Sequence, residues 1–255
     1  MIETHAHIYS EQFKDDIEQV LDVSREVGVE KIYMPNIDHT SIDGMLALEE
    51  RHPGFCIATM GLHPCSVKGD FQKELYIIEE WLGKREFAAI GEMGTDLYWD
   101  KSFLDQQVEA FKIQVALAKH YKKPIIIHCR ESIDMTIKLV EHLKDDNLTG
   151  VFHCFNGTAE QAERITKLGF YIGLGGVVTF KNSGMDQVIP TIDLKHIVLE
   201  TDSPYLAPVP YRGKRNQPSY LSLIAQKIAD IKELPIEAII AMTTENANSL
   251  FQVKQ

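Results

Sequence analysis

Five short apolar segments of this sequence each run directly into residues that commonly bind metal ions. The clearest is Pro124-Ile125-Ile126-Ile127, which leads into a histidine and, after one cysteine, an arginine. In chain order, the five segments end at His5 and His7, Glu92, His128, His153 and Asp202. Short β-branched runs of this kind are typical of buried parallel strands. Because strand ends so far apart in sequence converge only within one sheet, the pattern predicts a parallel sheet with a polar carboxyl-terminal edge.

The rest of the chain alternates predicted strands with predicted helices. The predicted strands cover residues 2–7, 31–34, 56–60, 87–92, 124–130, 150–153, 170–174 and 196–200. A chain of 255 residues that is 44% hydrophobic has the usual size of one eight-stranded α/β barrel. We therefore expect residues 1–255 to form a single (β/α)8 TIM-barrel domain, with a metal site at the carboxyl ends of the strands. An open doubly wound sheet is the alternative, although no GxGxxG or Walker A sequence is present.

Two helix starts carry capping-box patterns. Ser102 is followed three residues later by Asp105, and Thr158 is followed three residues later by Gln161. Such pairs satisfy backbone N–H groups at a helix amino terminus. We expect the longest helix to begin at Ser102 and another to begin at Thr158.

The four cysteines suggest a reducing environment, because Cys56, Cys65, Cys129 and Cys154 form no CxxC pair or disulfide framework. Cys129 and Cys154 each directly follow a candidate ligand histidine. Side chains alternate along a strand, so these two thiols are expected to point outward to the helix layer when the histidines point inward.

Charge and hydropathy narrow the class of protein. The net charge of −11 argues against a protein that coats nucleic acid, but it does not exclude a phosphate-bearing end held at a local cationic site. Lys181 and the run Arg212-Gly213-Lys214-Arg215 are the local basic exceptions, unless the run is simply a solvated loop. No signal peptide and no membrane-length apolar run is recognisable, so the expected location is the cytoplasm.

Histidine placement is the sharpest chemical signal in the sequence. Of the ten histidines, His5, His7, His63, His128 and His153 fall at predicted strand ends. His5 and His7 are two residues apart, so on a strand they share one face and can reach one ion. Four imidazoles together with Glu92 and Asp202 exceed the needs of one tetrahedral ion. We therefore expect a two-metal site with a bridging carboxylate.

The ordered series of motifs resembles one known family. The motifs are His5-Ala6-His7, Gly61-Leu62-His63-Pro64, Gly91-Glu92-Met93-Gly94-Thr95-Asp96, Ile127-His128-Cys129-Arg130, His153-Cys154-Phe155, Glu200-Thr201-Asp202-Ser203-Pro204-Tyr205-Leu206-Ala207-Pro208 and Arg212-Gly213-Lys214. Together they are similar to the series of the TatD-type metal-dependent hydrolases, (β/α)8 barrels of the amidohydrolase superfamily. The sequence departs from the family at Glu3, where aspartate is usual, and at Met93 and Thr95, where an aliphatic pair is usual.

The resemblance implies a divalent-metal-dependent phosphodiesterase that acts on DNA, typically as a 3′–5′ exodeoxyribonuclease on single strands. It implies one ion held by His5, His7, Glu92 and Asp202, and a second held by Glu92, His128 and His153. Two divalent ions are expected, of Zn, Mn, Co, Ni or Mg. Glu3 is expected either to orient His5 or simply to sit in the polar barrel interior.

The expected catalytic residues are Asp202 and Glu92. Glu92 would bridge the ions, and Asp202 would take a proton from the attacking water and return one to the leaving alkoxide. Three polar residues near the same strand ends could contact and orient these groups: Asp96, Asn156 and Glu200.

Residues left over from the ligand set are expected to bind the substrate. His63 and Arg130 are candidates for holding the phosphate, since arginine matches phosphate geometry; an ion pair at the barrel mouth is the alternative for Arg130. Tyr205, like Tyr98, could stack on a base or simply pack, and Arg212 with Lys214 could contact a further phosphate.

Two other functions remain open from the sequence. The first keeps the fold and metals but hydrolyses a small amide, lactone or amino-purine. Many two-metal relatives with that chemistry bridge their ions with a carboxylated lysine on strand four, where this chain has Glu92. The second is a non-catalytic metal-binding scaffold, although no position of the ligand set is missing. No protein partner is inferable.

Overall fold

The computed structural model describes residues 1–252. Its parallel strands are β1 (Ile2–Glu3), β2 (Lys31–Pro35), β3 (Cys56–Thr59), β4 (Ile90–Asp96), β5 (Ile125–Arg130), β6 (Gly150–Phe152), β7 (Tyr171–Leu174) and β8 (Ile197–Leu199). Hydrogen-bonded ladders join β1-β2-β3 and β4-β5-β6-β7-β8, so every ladder connects strands that are consecutive in sequence.

The two ladders close into one barrel. On one side, the N–H of Met60 donates to Ala89 O at 3.1 Å and the N–H of Gly91 donates to Met60 O at 3.0 Å, which joins β3 to β4. On the other side, the N–H of Thr4 donates to Leu199 O at 3.1 Å, and Ala6 forms a parallel bridge with Ser203. The first strand therefore pairs with the last. This confirms the predicted (β/α)8 barrel over the open doubly wound sheet.

Helices follow the strands around the outside of the barrel. They are α1 (Ile17–Glu26), α2 (His39–Arg51), α3 (Phe71–Lys84), α4 (Leu104–Tyr121), α5 (Ile133–Leu143), α6 (Ala159–Lys167), α7 (Met185–Val188), α8 (Leu221–Lys232) and α9 (Ile236–Phe251). Ile125, Ile126 and Ile127 of β5 are all fully buried. Both faces of this strand are therefore covered, as the continuous apolar run predicted.

The inner face of the strands changes character along its length. Ile126 and Val151 lie two residues before His128 and His153, on the same face of β5 and β6. These two apolar side chains belong to a small buried cluster with Leu250 of α9. The amino-terminal part of the inner face is therefore apolar and packed against α9, and the carboxyl-terminal part carries the histidines.

The strands that carry the first and last candidate ligands are shorter than predicted. β1 ends at Glu3 and β8 ends at Leu199, so His5 and Asp202 lie beyond the regular ladders. The carboxylate of Glu3 joins these segments instead, because its Oε1 accepts the N–H of His5 at 3.0 Å and the N–H of Thr201 at 2.9 Å. Glu3 thus holds the backbones of both segments, and burial raises the pKa of its carboxyl well above the usual range.

The two predicted capping boxes have different outcomes. At α6 the prediction is confirmed, since Thr158 Oγ1 accepts the N–H of Gln161 at 3.2 Å and Gln161 Oε1 accepts the N–H of Thr158 at 2.9 Å. At α4 the prediction is wrong, because the helix begins at Leu104 without a side-chain cap. The N–H of Ser102 donates instead to Asp100 Oδ1 at 2.9 Å, so Ser102 belongs to a turn that precedes the helix.

Among the helices within residues 1–252, none combines the length and the apolar composition needed to span a lipid bilayer.

Candidate metal centre

The candidate ligands meet at the carboxyl-terminal end of the barrel. A cavity of about 670 Å³ opens there, and its wall includes His7, Glu92, His128, His153 and Asp202. His5 lies deeper and is fully buried. The structure therefore brings all six predicted ligand residues into one group.

Glu92 lies at the middle of this group. Its Oε2 is 3.2 Å from His5 Nε2 and 3.4 Å from His7 Nε2. Its Oε1 is 2.8 Å from His153 Nε2 and 2.9 Å from His128 Nδ1. Burial favours the neutral acid, but the surrounding histidines outweigh it and hold the pKa of Glu92 well below its usual range. One ionised carboxylate thus faces two separate pairs of imidazole nitrogens, one pair on each oxygen.

Asp202 approaches the pair formed by His5 and His7. Its Oδ1 lies 3.8 Å from His5 Nε2 and 3.7 Å from His7 Nε2. Its backbone has a φ of 57° and its N–H donates to His5 O at 2.9 Å, which ties the segment after β8 to the segment after β1. Burial raises the pKa of Asp202 to about 6.

Tyr9 determines which nitrogen of His7 carries the proton. The Tyr9 hydroxyl donates to Pro35 O at 2.5 Å, so its single hydrogen is not available to His7. His7 Nδ1 lies 3.0 Å from the same oxygen and must donate to it. The lone pair of a neutral His7 is therefore on Nε2, which faces Glu92.

A carboxylate lies next to each histidine of the second pair, His128 and His153. Asp96 Oδ2 lies 2.9 Å from His128 Nε2, so this nitrogen donates and leaves Nδ1 to face Glu92. Glu200 Oε1 lies 3.5 Å from His153 Nδ1, an ion-pair distance at which this nitrogen has no hydrogen-bond partner within residues 1–252, and His153 Nε2 faces Glu92. Burial disfavours a charged His153, but Glu92 and Glu200 outweigh it and raise its pKa well above the usual value. A hydrogen bond such as that between Asp96 and His128 fixes the orientation of a histidine that binds a metal.

The donor atoms around Glu92 have the chemistry and the spacing that divalent cations require. His128 Nδ1 and His153 Nε2 lie 3.3 Å apart, and both point at Glu92 Oε1. Within residues 1–252, Glu92 Oε2 is buried without a hydrogen-bond partner. A buried, ionised carboxylate with an unsatisfied oxygen is costly unless a positive charge lies beside it. Nitrogen and oxygen donors at these distances are the ligands that Zn, Mn, Co and Ni accept, so the residues fit such ions.

His63 is oriented differently from the other four histidines. Its Nδ1 accepts the N–H of Cys65 at 3.0 Å, so the proton of the neutral ring is on Nε2, 3.4 Å from Glu92 Oε1. Burial lowers the pKa of His63 and keeps it neutral. His63 is near enough to Glu92 and His128 to share an ion with them. However, its protonated nitrogen makes it a hydrogen-bond donor rather than a ligand.

The predicted substrate-binding residues occupy different places. Arg130 and Tyr205 line the cavity, together with Asn156. Arg130 forms no ion pair within residues 1–252, so the alternative of a structural salt bridge is wrong, and its guanidinium lies 3.7 Å from the centre of the Tyr98 ring. Arg212 is not part of the cavity wall; its guanidinium lies over the Phe180 ring at 3.6 Å.

The thiols differ from the prediction. Cys154 follows the end of β6 with a φ of 48° and contributes to the cavity wall, so the expectation that it points to the helix layer is wrong. The alternation of side chains holds only while the chain stays extended. Cys129 packs partly on the apolar core, as expected, but it also reaches the cavity wall, as does Cys65. Burial raises the pKa of Cys65 and Cys129 to about 12, so both thiols stay protonated.

Sequence reasoning missed Tyr9 and Trp99 at this site. Tyr9 lies two residues after His7, just as His7 lies two residues after His5. Residues at this spacing share one face of an extended chain, so the sequence could have predicted that Tyr9 lies beside His7. Trp99 lies in a loop with no periodic pattern, and it lines the cavity.

Nearly the whole chain matches a known protein family. The model of the family described as TatD related DNase matches residues 2–252. The chain belongs to this family. Its similarity to individual TatD proteins extends over nearly the whole sequence. A protein of Bacillus subtilis (strain 168), named as an uncharacterized metal-dependent hydrolase YabD, is 39% identical over 254 residues, covering 99% of each chain.

Two further TatD relatives are informative. A protein of Pantoea sp. (strain At-9b), named 3'-5' ssDNA/RNA exonuclease TatD, is 30% identical and covers 99% of this chain and 100% of its own. The crystal structure of YjjV, a TatD homolog from Escherichia coli K12, superposes with a TM-score of 0.93 at 30% identity, covering 98% of this chain and 97% of that chain. The protein is therefore a metal-dependent hydrolase with the TatD barrel, and the non-catalytic scaffold is set aside.

Proposed function

We propose that this protein is a two-metal phosphodiesterase that removes nucleotides from the 3′ end of single-stranded DNA. The observation that supports it most is the position of Glu92, whose two carboxylate oxygens each face a separate pair of imidazole nitrogens. A single ion would need only one of these pairs. Metal pairs that share a carboxylate are a recurrent solution for hydrolysing phosphodiesters.

The residues divide into two ligand sets. His5, His7, Glu92 and Asp202 would hold one divalent cation, and Glu92, His128 and His153 would hold the other. When bound there, two such cations supply the positive charge that activates a water molecule and stabilises the phosphoryl oxygens.

Asp202 is the proposed base and acid. It takes a proton from the attacking water as the water oxygen forms a bond to phosphorus. The bond from phosphorus to the leaving oxygen breaks, and Asp202 returns the proton to that oxygen. The carboxylate lies beside His5 and His7 at the cavity wall, where it can reach a water molecule from solvent.

His63 and Arg130 are proposed to hold the phosphate. The protonated Nε2 of His63 is a neutral donor at the edge of the centre. Arg130 supplies a charged, forked donor that no carboxylate within residues 1–252 neutralises. Tyr205, whose ring centre lies 6.2 Å from that of His7, and Arg212 would contact parts of the substrate farther from the reacting bond.

Single-stranded ends fit the charge of the protein. A net charge of −11 offers no broad basic surface for a duplex, so nucleic acid must be recognised locally at the cavity. The relative from Pantoea sp. is named as a single-strand exonuclease, and its similarity spans the whole chain. An amide-hydrolysing activity has no comparable support, because Glu92 stands where a carboxylated lysine would bridge the ions.

The proposal is tested with end-labelled single-stranded DNA. Wild-type protein, freed of metal and reloaded separately with Zn, Mn, Co, Ni or Mg, should shorten the strand from its 3′ end with at least one ion. Asp202→Asn should abolish shortening, and Asp230→Asn, on the exposed face of α8, should not. No shortening with any ion, or unchanged turnover by Asp202→Asn, would contradict the proposal.

A further inference from the structure

Exposed aromatic side chains are concentrated beside the cavity. Within residues 1–252, eight large apolar side chains are exposed, and five of them lie in the segments 98–99 and 205–209. Trp99 is 70% exposed and lines the cavity. Tryptophan is normally largely buried, so an open indole at the edge of a catalytic cavity suggests a surface that binds a ligand.

The loop that presents Trp99 is tied to the metal centre. Asp96 Oδ1 accepts the N–H of Tyr98 at 2.9 Å and the N–H of Trp99 at 3.2 Å. The other oxygen of the same carboxylate accepts from His128 Nε2 at 2.9 Å. One side chain therefore holds the loop backbone that carries Trp99 next to a proposed ligand histidine.

Arg130 completes the surface. Its guanidinium covers the Tyr98 ring at 3.7 Å and lies 5.5 Å from the centre of the Trp99 ring. The rings of Tyr98 and Trp99 are perpendicular, with centres 4.8 Å apart. Arg130 thus covers one face of the Tyr98 ring. The indole of Trp99 stays exposed to solvent, next to a guanidinium that can bind phosphate.

We infer that Trp99 stacks on an unpaired base of the substrate while Arg130 binds an adjacent phosphate. This inference rests on the proposed nuclease function and names the feature of the substrate that the site recognises. A base is stacked on both sides in a duplex, but an unpaired base near a strand end can offer a face to the indole. Single-strand binding proteins commonly combine an aromatic ring with a cationic side chain in this way.

The acidic charge of the chain gives stacking added weight. At a net charge of −11 the protein has little general attraction for phosphates, so we expect the affinity for single-stranded DNA to come from local contacts at the cavity. Trp99 follows β4 and Tyr205 follows β8, four strands apart in an eight-stranded barrel. The segments that carry the two exposed rings therefore leave the barrel on opposite sides of its mouth, and both residues line the cavity.

The kinetic test compares Trp99→Ala with Tyr76→Ala in the metal-loaded enzyme. Tyr76 is 69% exposed on α3 and lies outside the cavity, so it is a matched control. Trp99→Ala should raise the KM for a single-stranded oligonucleotide about 10-fold, the loss expected for one stacked base. It should leave the KM for an oligonucleotide of the same length with abasic sites, which has no base to stack, unchanged. Trp99→Phe should restore most of the affinity, and Trp99→Leu should not.

A binding test separates this inference from the catalytic proposal. The chain has two tryptophans, so a Trp81→Phe protein reports Trp99 fluorescence alone. A hydrolysis-resistant phosphorothioate single strand should quench this emission, and a strand of equal length with abasic sites should not. Equal quenching by both strands, or none by either, would overturn the stacking of a base. A wild-type protein that is quenched but never cleaves would overturn only the nuclease proposal.

Discussion

The two ends of the barrel use the same strands for opposite purposes. At the amino-terminal end, Tyr33 of β2 stacks on Phe251 of α9 with ring centres 3.7 Å apart, within an apolar cluster. At the carboxyl-terminal end, buried imidazoles and carboxylates face one another, and some of their polar atoms have no hydrogen-bond partner within residues 1–252. Packing an apolar end stabilises a fold, whereas crowding polar groups costs stability unless a ligand joins them. Changes at the two ends should therefore separate stability from activity.

The largest effect is expected for Glu92→Gln. An amide cannot supply two anionic oxygens, and losing several kcal/mol of charge stabilisation corresponds to at least about 10³-fold in kcat. The metal-free variant should remain folded, because glutamine has the size and shape of glutamate at this buried position, and a melting curve checks this. Glu79→Gln, an exposed change on α3, is the control. Substantial residual turnover by Glu92→Gln would remove the bridging role.

Phe251→Ala should have the converse effect. Phe251 is only 7% exposed. Replacing its ring with a methyl group should lower the free energy of unfolding by about 3 kcal/mol. The kcat of the folded fraction should not change. Denaturant unfolding measures the loss, and Phe251→Leu should give a smaller one. A drop in kcat at full folding would show that the two ends are coupled.

Asp96→Asn tests the support behind the metal centre. An asparagine can keep its oxygen towards the N–H groups of Tyr98 and Trp99, but it then turns an amide N–H towards His128 Nε2. His128 must move its proton to Nδ1, which blocks the nitrogen that faces Glu92. Metal affinity should fall about 10–100-fold. Asp100→Asn, in the same loop, should leave the affinity measured by calorimetry unchanged.

The smallest effect is expected from pH. Protons and cations compete for His153, whose pKa the carboxylates of Glu92 and Glu200 raise despite its burial. As pH falls, the histidine retains its proton, so metal affinity should drop about tenfold per pH unit for each proton displaced. Calorimetry in buffers of different ionisation enthalpy measures the released protons. Phe251→Ala should show the same pH dependence, and an affinity independent of pH would contradict the assigned ligands.

The strand ends were predictable from the sequence, but what holds the side chains there was not. Apolar runs that stop at histidines or carboxylates predicted the barrel and the six residues that the structure brings together, and the role of these residues as ligands stays a prediction. The ends of β1 and β8 were placed too far along the chain, because Glu3 replaces ladder hydrogen bonds with its carboxylate. A hydrogen bond between residues nearly 200 positions apart leaves no local pattern in a sequence.

Short-range rules failed wherever the chain leaves regular structure. The capping box predicted at Thr158 is present in the structure. At Ser102 it is absent, because the N–H of Ser102 donates to Asp100 in the turn before the helix. Cys154 departs from strand alternation because its φ is positive. The proton positions on His7 and His63 depend on Tyr9 and Cys65, and only the three-dimensional contacts determine them.

Closure of the barrel through β1 and the segment after β8 has a consequence for biosynthesis. Asp202 donates its N–H to His5 O, and Thr4 donates to Leu199 O, so the earliest and the latest parts of the sequence complete one another. A ribosome-bound chain that has emerged only as far as β7 lacks those partners for His5. Contacts of such long sequence separation form late in folding. Asp202, one of the proposed ligands, can therefore join His5 only after almost the entire polypeptide has left the ribosome, so a prematurely terminated product would lack the complete proposed site.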